Sequence, residues 1–321
     1  MGLGADARVT PLTPDASDRR YFRVEADGVA SIVLVVHPGA IVYDEMPFAD
    51  AHALLAAMPV PVPAVLGHSD ELGIIALGDL GDVTLLAHLR GVDDVERRQK
   101  YEEAVGLIVT LQQRGRELAS SNRVPYRLAF DVEKLMFELR FFAEHFLEGW
   151  RQARLSAADC DTLEQEFLAV ATELAAEPRV VCHRDYHSRN LMVLCGDLYL
   201  IDYQDARMGP DTYDLASLVR DSYVDLPASL VEALIDLYLC ATRTDVSAAA
   251  RAEFVRRFDL MSVQRNLKAL GTFGVQAARK GNQAYVADMP RTLAHVRRNL
   301  ARYPRFTTLR RALATQVDEL A

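Results

Sequence analysis

The stretch HRDYHSRNLMVLCGDLYLIDYQDA, residues 183–206, joins a polar island to two short apolar runs. The island occupies residues 183–190, although a turn that needed only to be solvated would more simply contain Gly, Pro and Ser. The apolar runs LMVL (191–194) and LYLI (198–201) flank a Cys-Gly-Asp turn. Two short apolar runs around a turn that contains Gly predict a β-hairpin. The stretch is therefore interpreted as a polar loop that leads into a hairpin.

Three oxygen-bearing side chains are expected to meet at the open end of this hairpin. A tight hairpin returns the chain close to its start, so Asp185, Asn190 and Asp202 should converge. Two carboxylates and one amide oxygen form the hard, oxygen-rich cluster that Mg²⁺ prefers. The alternative is a chance spacing in which Asp202 is an ordinary turn residue, because short motifs carry false positives.

The patterns on the two sides of this stretch predict an α+β chain. The first eighty residues contain two hairpin patterns, at 21–36 and 62–77, with a helical pattern at 47–58 between them. Apolar residues at intervals of three and four predict helices through most of the remainder. The expected organisation is a small β-rich N-terminal lobe over 1–80, a hinge near 75–82, and a larger, mainly helical C-terminal lobe over 83–321 that holds the polar loop (183–190) and the hairpin (191–205).

Composition and charge exclude several classes of partner. The 321 residues carry a formal net charge of −9, with a pI of about 5.4, which argues against a nucleic-acid-binding surface. No apolar run approaches the roughly 18 residues that span a bilayer, and the N-terminus lacks a secretory signal pattern. The cysteines have neither CxxC nor metal-ligand spacing, which favours a reducing compartment. We therefore expect a cytoplasmic protein without nucleic-acid or membrane partners, and no pattern indicates an oligomeric state.

The spacing H-R-D-x-x-x-x-N, followed by Asp202 after the next hairpin, resembles the catalytic machinery of the protein-kinase superfamily. The protein-kinase motifs G-x-G-x-x-G, V-A-I-K, D-F-G and A-P-E are absent, and DYQDARMGPDTYDLASLV (202–219) runs directly into a helical pattern. This arrangement resembles the aminoglycoside phosphotransferase and choline kinase-like family of small-molecule kinases, in which H-x-D-x-x-x-x-N, I-D-[YW] and D-L-A, here at Asp214, recur. The resemblance spans residues 8–300 and implies a two-lobed, protein-kinase-like fold. It also implies that the lobe over 1–80 binds the nucleotide, that 183–190 is the catalytic loop and that 191–205 is the metal-binding hairpin.

The resemblance also implies a role for each motif residue. Asp185 would accept the proton of the attacking hydroxyl, while Asn190 and Asp202 would hold Mg²⁺ against the phosphates of ATP. The adenine would lie against the hinge backbone from Ile75 to Leu77. His183 and Asp214 would support the catalytic loop through hydrogen bonds.

Three further stretches resemble one branch of this family, the bacterial anomeric N-acetylmuramate and N-acetylglucosamine kinases of cell-wall recycling. They are DASDRRYFRV (15–24), GDLGDVTLL (78–86) and QRNLKALGTF (264–273). This resemblance implies an N-acetylated amino sugar as the acceptor and its anomeric hydroxyl as the phosphorylated group. An aminoglycoside, choline or other small-alcohol kinase of the same fold is the alternative enzyme.

One expected cation is missing from the N-terminal lobe. The family's phosphate-anchoring lysine would lie in SIVLVVHPGA (31–40), yet the sequence has no lysine before Lys100. A nucleotide-binding pseudokinase module is therefore a second alternative. If the enzyme is active, we expect Ser17 to form a tight turn with backbone N–H groups for a phosphate, and Arg19 or Arg20 to supply the missing charge.

Four other residues are candidates for contact with the acceptor or the phosphates: His187, Asp205, Arg265 and Lys268. For Asp205, contact with a metal is a further candidate role. Arg265 and Lys268 would suit an acidic sugar, because a polycationic acceptor would instead require carboxylates. The helical spacing places Gln264 and Lys268 on one face, and an exposed salt-bridging face is the competing interpretation of that segment.

Overall fold

The N-terminal lobe is built on an antiparallel sheet. The computed structural model describes residues 7–12, 19–119 and 122–321. In these ranges five strands pair in the order β1-β2-β3-β5-β4. Their bounds are β1 Arg8–Pro11, β2 Arg20–Glu25, β3 Ile32–Val36, β4 Val65–Ser69 and β5 Ile74–Gly78, and helix α1, Pro47–Ala57, lies between β3 and β4 in the sequence. Both predicted hairpins and the predicted helix are therefore confirmed.

The remainder of the described chain is mainly helical, as predicted. Its helices are α2 Leu85–His88, α3 Asp94–Glu117, α4 Val124–Arg127, α5 Val132–Phe142, α6 Ala157–Ala175, α7 Tyr213–Val219, α8 Ala228–Thr242, α9 Ala248–Gly274, α10 Met289–Arg302 and α11 Thr307–Ala314. π-Helical turns over Ala143–Trp150 and Val275–Arg279 extend α5 and α9. The two-lobed α+β, protein-kinase-like architecture is confirmed. No helix in the described ranges combines the length and the apolar character needed to cross a bilayer.

Four short strands shape the stretch from 183 to 206. Strand β6 (Arg179–Cys182) pairs antiparallel with β9 (Arg207–Pro210), so that the two ends of the stretch meet. Within it, β7 (Leu191–Leu194) pairs with β8 (Asp197–Leu200). The connecting residues Cys195 and Gly196 have φ values of 53° and 95°. Positive φ at both central residues is typical of the type I′ turn of a two-residue hairpin.

A two-sided salt bridge joins the sheet to the segment that follows it. The Arg23 guanidinium donates to Asp79 at 2.6 and 3.0 Å and to Asp82 at 2.8 and 2.9 Å. Arg23 lies in β2, whereas both carboxylates belong to the connection from β5 to the helical lobe. Bidentate pairs of this kind fix geometry as well as charge.

The long helix α9 runs through the main hydrophobic core and packs against α5, α7 and α10. Its contact with the residues that follow α5 is especially close at Gly274. A Cβ atom there would overlap the backbone carbonyl of His145 and lie 3.0 Å from the Cα of Phe146. Because these neighbours are backbone atoms, they have little room to move.

We predict that Gly274→Ala lowers the free energy of unfolding by about 1–3 kcal/mol, the usual cost of overpacking. Gly106→Ala is the matched control, since a Cβ at this exposed position in α3 meets nothing within 4 Å. Removal of a mid-helix glycine should stabilise by roughly 0.5–1 kcal/mol. Urea unfolding of both variants checks this, and a Gly274→Ala protein as stable as the parent would contradict the close packing.

Candidate active site

The loop that follows β6 is held by one buried carboxylate. Asp214, in the first turn of α7, accepts the backbone N–H of His183 at 2.7 Å and that of Arg184 at 3.1 Å. Burial raises the pKa of Asp214 to about 7, although both N–H groups favour its ionised form. Arg184 has a φ of 86°, a strained value for a residue other than glycine. Asp214 thus stabilises the conformation that presents Asp185.

The side chain of His183 is placed by packing. Its ring is buried and lies edge-on to that of Tyr186, with 5.6 Å between the centroids. Burial lowers the pKa of His183 to about 4, so the ring is neutral near pH 7. The hydrogen bond of His183 to Asp214 is donated by its backbone N–H and not by its ring. The sequence alone did not indicate which of these groups would be used.

Asp185, Asn190 and Asp202 converge, as the hairpin predicts. The amide nitrogen of Asn190 donates to the backbone oxygen of Asp185 at 2.9 Å and to Asp202 Oδ2 at 3.3 Å. Asp202 also accepts from Gln204 Nε2 at 2.7 Å and has a φ of 65°. Since both Asn190 contacts use the amide nitrogen, its oxygen remains available as a ligand. In the described ranges, no group of three or more His, Cys, Asp or Glu could hold a metal, so a cation here would take its other ligands from phosphate and water.

Three cations surround the carboxylate of Asp185. Lys268 Nζ lies 2.7 Å from Oδ1, Arg265 Nη2 lies 3.3 Å from the same oxygen, and Arg184 Nη1 lies 3.6 Å from Oδ2. Burial alone would raise the pKa of Asp185, but the positive charges of Lys268, Arg265 and Arg184 together hold it well below its usual range. Asp185 is therefore ionised at neutral pH and can accept a proton.

The helical spacing that grouped Gln264 with Lys268 did not identify the residues of α9 that face the site. Gln264 is buried and donates to Glu138 Oε2 at 2.9 Å. Arg265 and Lys268 are the pair that reaches Asp185, and Arg265 also donates from Nε to Ser217 Oγ at 2.9 Å. The competing interpretation of an exposed salt-bridging face is wrong, because only 8 % of Arg265 is exposed.

A cleft of about 660 Å³ lies between the sheet and the helical lobe. From the sheet side it is lined by apolar side chains and by Arg19, and from the helical side by polar residues. The apolar part includes Val33, Val35, Ile75 and Leu77, and the polar part includes Asp185, His187, Asn190, Asp202 and Lys268. A smaller pocket of about 80 Å³ adjoins it and also has Asp185, His187 and Lys268 in its wall.

The backbone of Ile75 and Leu77 is not an open hinge. Both residues lie in β5, which pairs with β3 on one side and with β4 on the other, so their backbone groups belong to the sheet. Gly78 is still engaged, since its N–H donates to the carbonyl of Ala64 at 2.8 Å. Ile75 and Leu77 therefore contribute side chains to the cleft, and the expectation of backbone contact there is corrected.

The structure separates the two candidate arginines of the N-terminal lobe. Arg19 lines the cleft, whereas Arg20 is exposed, lies with its guanidinium carbon 5.6 Å from the ring centre of Phe22 and is not part of the described cleft wall. Ser17 lies outside the described residues.

Of the two remaining candidates, Asp205 is held by ion pairs outside the two cavities, whereas His187 lines both of them. Asp205 accepts from Arg184 Nη1 at 2.6 Å and lies 3.4 Å from Arg207 Nη2. It lines neither the cleft nor the smaller pocket, and in this structure it is the counter-ion of Arg184. His187 lines both, and burial together with the charge of Arg265 lowers its pKa to about 3.

Sequence reasoning missed two polar residues that follow Asp214. Ser217 accepts from Arg265, and Asp221 accepts the backbone N–H of Ser188 at 2.9 Å. Ser217 lies three residues after Asp214 on the same face of α7, which was a usable signal, whereas Asp221 lies beyond the end of this helix. Both line the smaller pocket beside Asp185.

Proteins similar to this chain are phosphotransferases and kinases. A sequence model of the phosphotransferase enzyme family matches residues 8–252. The N-acetylmuramate/N-acetylglucosamine kinase of Neisseria meningitidis serogroup B is 32% identical over 320 residues, which cover 98% of this chain and 92% of that protein. The protein of the same name from Pseudomonas aeruginosa is 33% identical over 321 residues, covering 96% and 88%. A choline/ethanolamine kinase family protein from Mesorhizobium loti has a similar fold, with a TM-score of 0.60 at 16% identity over 97% of this chain and 94% of that one.

Proposed function

The chain belongs to the phosphotransferase enzyme family, and from this premise we propose that it transfers the γ-phosphoryl group of ATP to an N-acetylated amino sugar. The observation that carries the proposal is the convergence of Asp185, Asn190 and Asp202 in the wall of the cleft, with Asp185 also lining the smaller pocket. Relatives named for N-acetylmuramate and N-acetylglucosamine, at 32% and 33% identity over nearly the whole chain, support this acceptor class.

ATP would occupy the larger cleft. The apolar side chains of Val35, Ile75 and Leu77 form a surface suited to the adenine, and they are the buried residues of the small N-terminal core. The polar end of the cleft, at Asn190 and Asp202, would then receive the phosphates. Mg²⁺, held by the Asn190 amide oxygen and the Asp202 carboxylate, would neutralise phosphate charge there.

Asp185 would take the proton of the acceptor hydroxyl. Its Oδ1 is held by Lys268 and Arg265, so Oδ2, which lies 3.6 Å from Arg184 Nη1, would face the hydroxyl. The hydroxyl oxygen forms a bond to the γ-phosphorus while the bond to the β,γ-bridging oxygen breaks, and that electron pair leaves on ADP. The hydroxyl proton passes to Asp185. Most of the rate enhancement would come from positioning and charge neutralisation, as is usual for a loose phosphoryl-transfer transition state.

The charges around the smaller pocket favour an acceptor that is not a polycation. Arg220, Arg265 and Lys268 line it, against the carboxylates of Asp185 and Asp221. An aminoglycoside would place several ammonium groups beside these cations. N-acetylmuramate carries one carboxylate and N-acetylglucosamine carries no charge, so both suit this wall better. The anomeric hydroxyl is the group that we propose to face Asp185.

We predict ATP consumption with N-acetylmuramate or N-acetylglucosamine and a sugar 1-phosphate as the product, identified by ³¹P and ¹³C NMR. The panel should include aminoglycosides and choline, whose turnover should be at background level. Turnover confined to those compounds would contradict the proposal. ATP binding without turnover of any acceptor would instead favour the pseudokinase alternative.

We predict that Arg19→Met raises KM for ATP by about tenfold, because a charged hydrogen bond to phosphate contributes roughly 1.5 kcal/mol or more. Arg20→Met is the matched control and should leave KM within twofold, since Arg20 does not line the described cleft. Steady-state kinetics at saturating sugar give both values. An unchanged KM in Arg19→Met would remove Arg19 from the phosphate site.

A further inference from the structure

The lysines of this chain are few, and one of them occupies a distinctive position. The sequence contains Lys100, Lys134, Lys268 and Lys280. Lys100 pairs with Glu103 at 2.6 Å and also contacts the carbonyl of Gly196, and Lys134 lies 3.9 Å from Glu138. Lys280 is exposed. Of the four, Lys268 alone lines the cleft.

Lys268 stands at the junction of the two cavities. It lines both the cleft and the smaller pocket, and its ammonium lies 2.7 Å from Asp185 Oδ1. If ATP fills the cleft and the acceptor hydroxyl faces Asp185, the γ-phosphorus must pass through this junction. The ammonium is therefore within one side-chain movement of the group that is transferred.

Arg265 allows Lys268 to move while Asp185 keeps a cationic partner. It contacts the same Oδ1 at 3.3 Å and is anchored to Ser217 at 2.9 Å. Both cations come from α9, three residues apart on one face of a largely buried helix. When the Lys268 ammonium leaves Oδ1, the carboxylate keeps a cationic partner and its orientation.

A cation at this place would stabilise the transfer step. Charge spreads over the equatorial oxygens of the transferred group in a loose transition state, and fixed positive charge stabilises it. Among the described residues, the other cations of the cleft wall are Arg19, on the sheet side, and Arg189. The guanidinium of Arg189 is stacked on Tyr223 and Tyr285, with 4.9 and 5.4 Å to the ring centres.

We propose that Lys268 is a catalytic residue whose ammonium contacts an oxygen of the phosphoryl group during transfer. This inference rests on the proposed phosphoryl transfer but not on the identity of the acceptor. The bonds made and broken are those given above. Lys268 keeps its protons, and its hydrogen bond moves from Asp185 Oδ1 to the phosphoryl oxygen. A lysine from helix α9 thereby contributes charge that no lysine of strand β3 can supply.

The test measures the binding of Mg²⁺-ADP with and without aluminium fluoride, which mimics the transferred phosphoryl group, by titration calorimetry. We expect aluminium fluoride to tighten ADP binding in the parent protein, and we call this increase in affinity the fluoride gain. In Lys268→Met the gain should fall at least tenfold, while the affinity for ADP alone changes by less than threefold. Lys100→Met is the matched control, because both lysine side chains are 13 % exposed, and it should behave as the parent.

Two further variants separate contact from positioning. Arg265→Met should lower turnover through Asp185 yet retain the fluoride gain. Lys268→Cys treated with 2-bromoethylamine rebuilds an ammonium and should recover that gain, with the treated parent protein as control because Cys160, Cys195 and Cys240 are exposed. This rescue also identifies any loss caused by misfolding, since a misfolded protein would not recover.

The outcomes distinguish this inference from the proposed function. A full fluoride gain in Lys268→Met would overturn the role of Lys268 and leave phosphoryl transfer intact. Absence of the gain in the parent protein would overturn both. A gain that depends on Lys268, together with no turnover of amino sugars, would support the role of Lys268 and contradict the proposed acceptor.

Discussion

The pairing of β6 with β9 is the constraint on which the site depends. It joins Cys182 to Arg207 and so closes the intervening stretch into a loop, inside which β7 and β8 pair again. Because these two antiparallel pairs are nested, the polar residues at the open end of the inner hairpin must lie close together. Asp214 then fixes the entry of this loop through two backbone hydrogen bonds. The strained φ value of Arg184 persists because these hydrogen bonds hold its own N–H and that of His183.

Electrostatics make the convergence of side chains chemically useful. An isolated buried carboxylate would tend to stay protonated and would be a poor proton acceptor. Here Arg184 comes from the loop itself, and Arg265 and Lys268 come from α9, so the charge of Asp185 is balanced from two elements. The position of α9, set by close packing at Gly274, is thus part of the chemistry of the loop.

The pattern of apolar and turn residues predicted the fold and the convergence of Asp185, Asn190 and Asp202, because hairpins and amphipathic helices are encoded over short stretches. Asp185, Asn190 and Asp202 lie within eighteen residues of one another, so hairpin geometry was enough to bring them together. The contact of Asp185 with Lys268 spans 83 residues, and nothing in the local pattern of α9 indicates which side faces the loop. For this reason, helical spacing grouped Lys268 with Gln264 although Arg265 is the residue that joins it at Asp185. The backbone expectation for Ile75 and Leu77 failed because a strand order that places β5 between β3 and β4 cannot be read from either hairpin alone.

The central claim is that Asp185 takes the proton while Asn190 and Asp202 hold the metal-bound nucleotide, and one comparison tests it most directly. Titration calorimetry with Mg²⁺-ATP, paired with turnover assays, should be applied to Asp185→Asn and Asp202→Asn. Asp185→Asn should abolish turnover and bind Mg²⁺-ATP nearly as the parent does, whereas Asp202→Asn should weaken that binding itself. Near-normal kcat in Asp185→Asn, or unchanged Mg²⁺-ATP affinity in Asp202→Asn, would contradict the account.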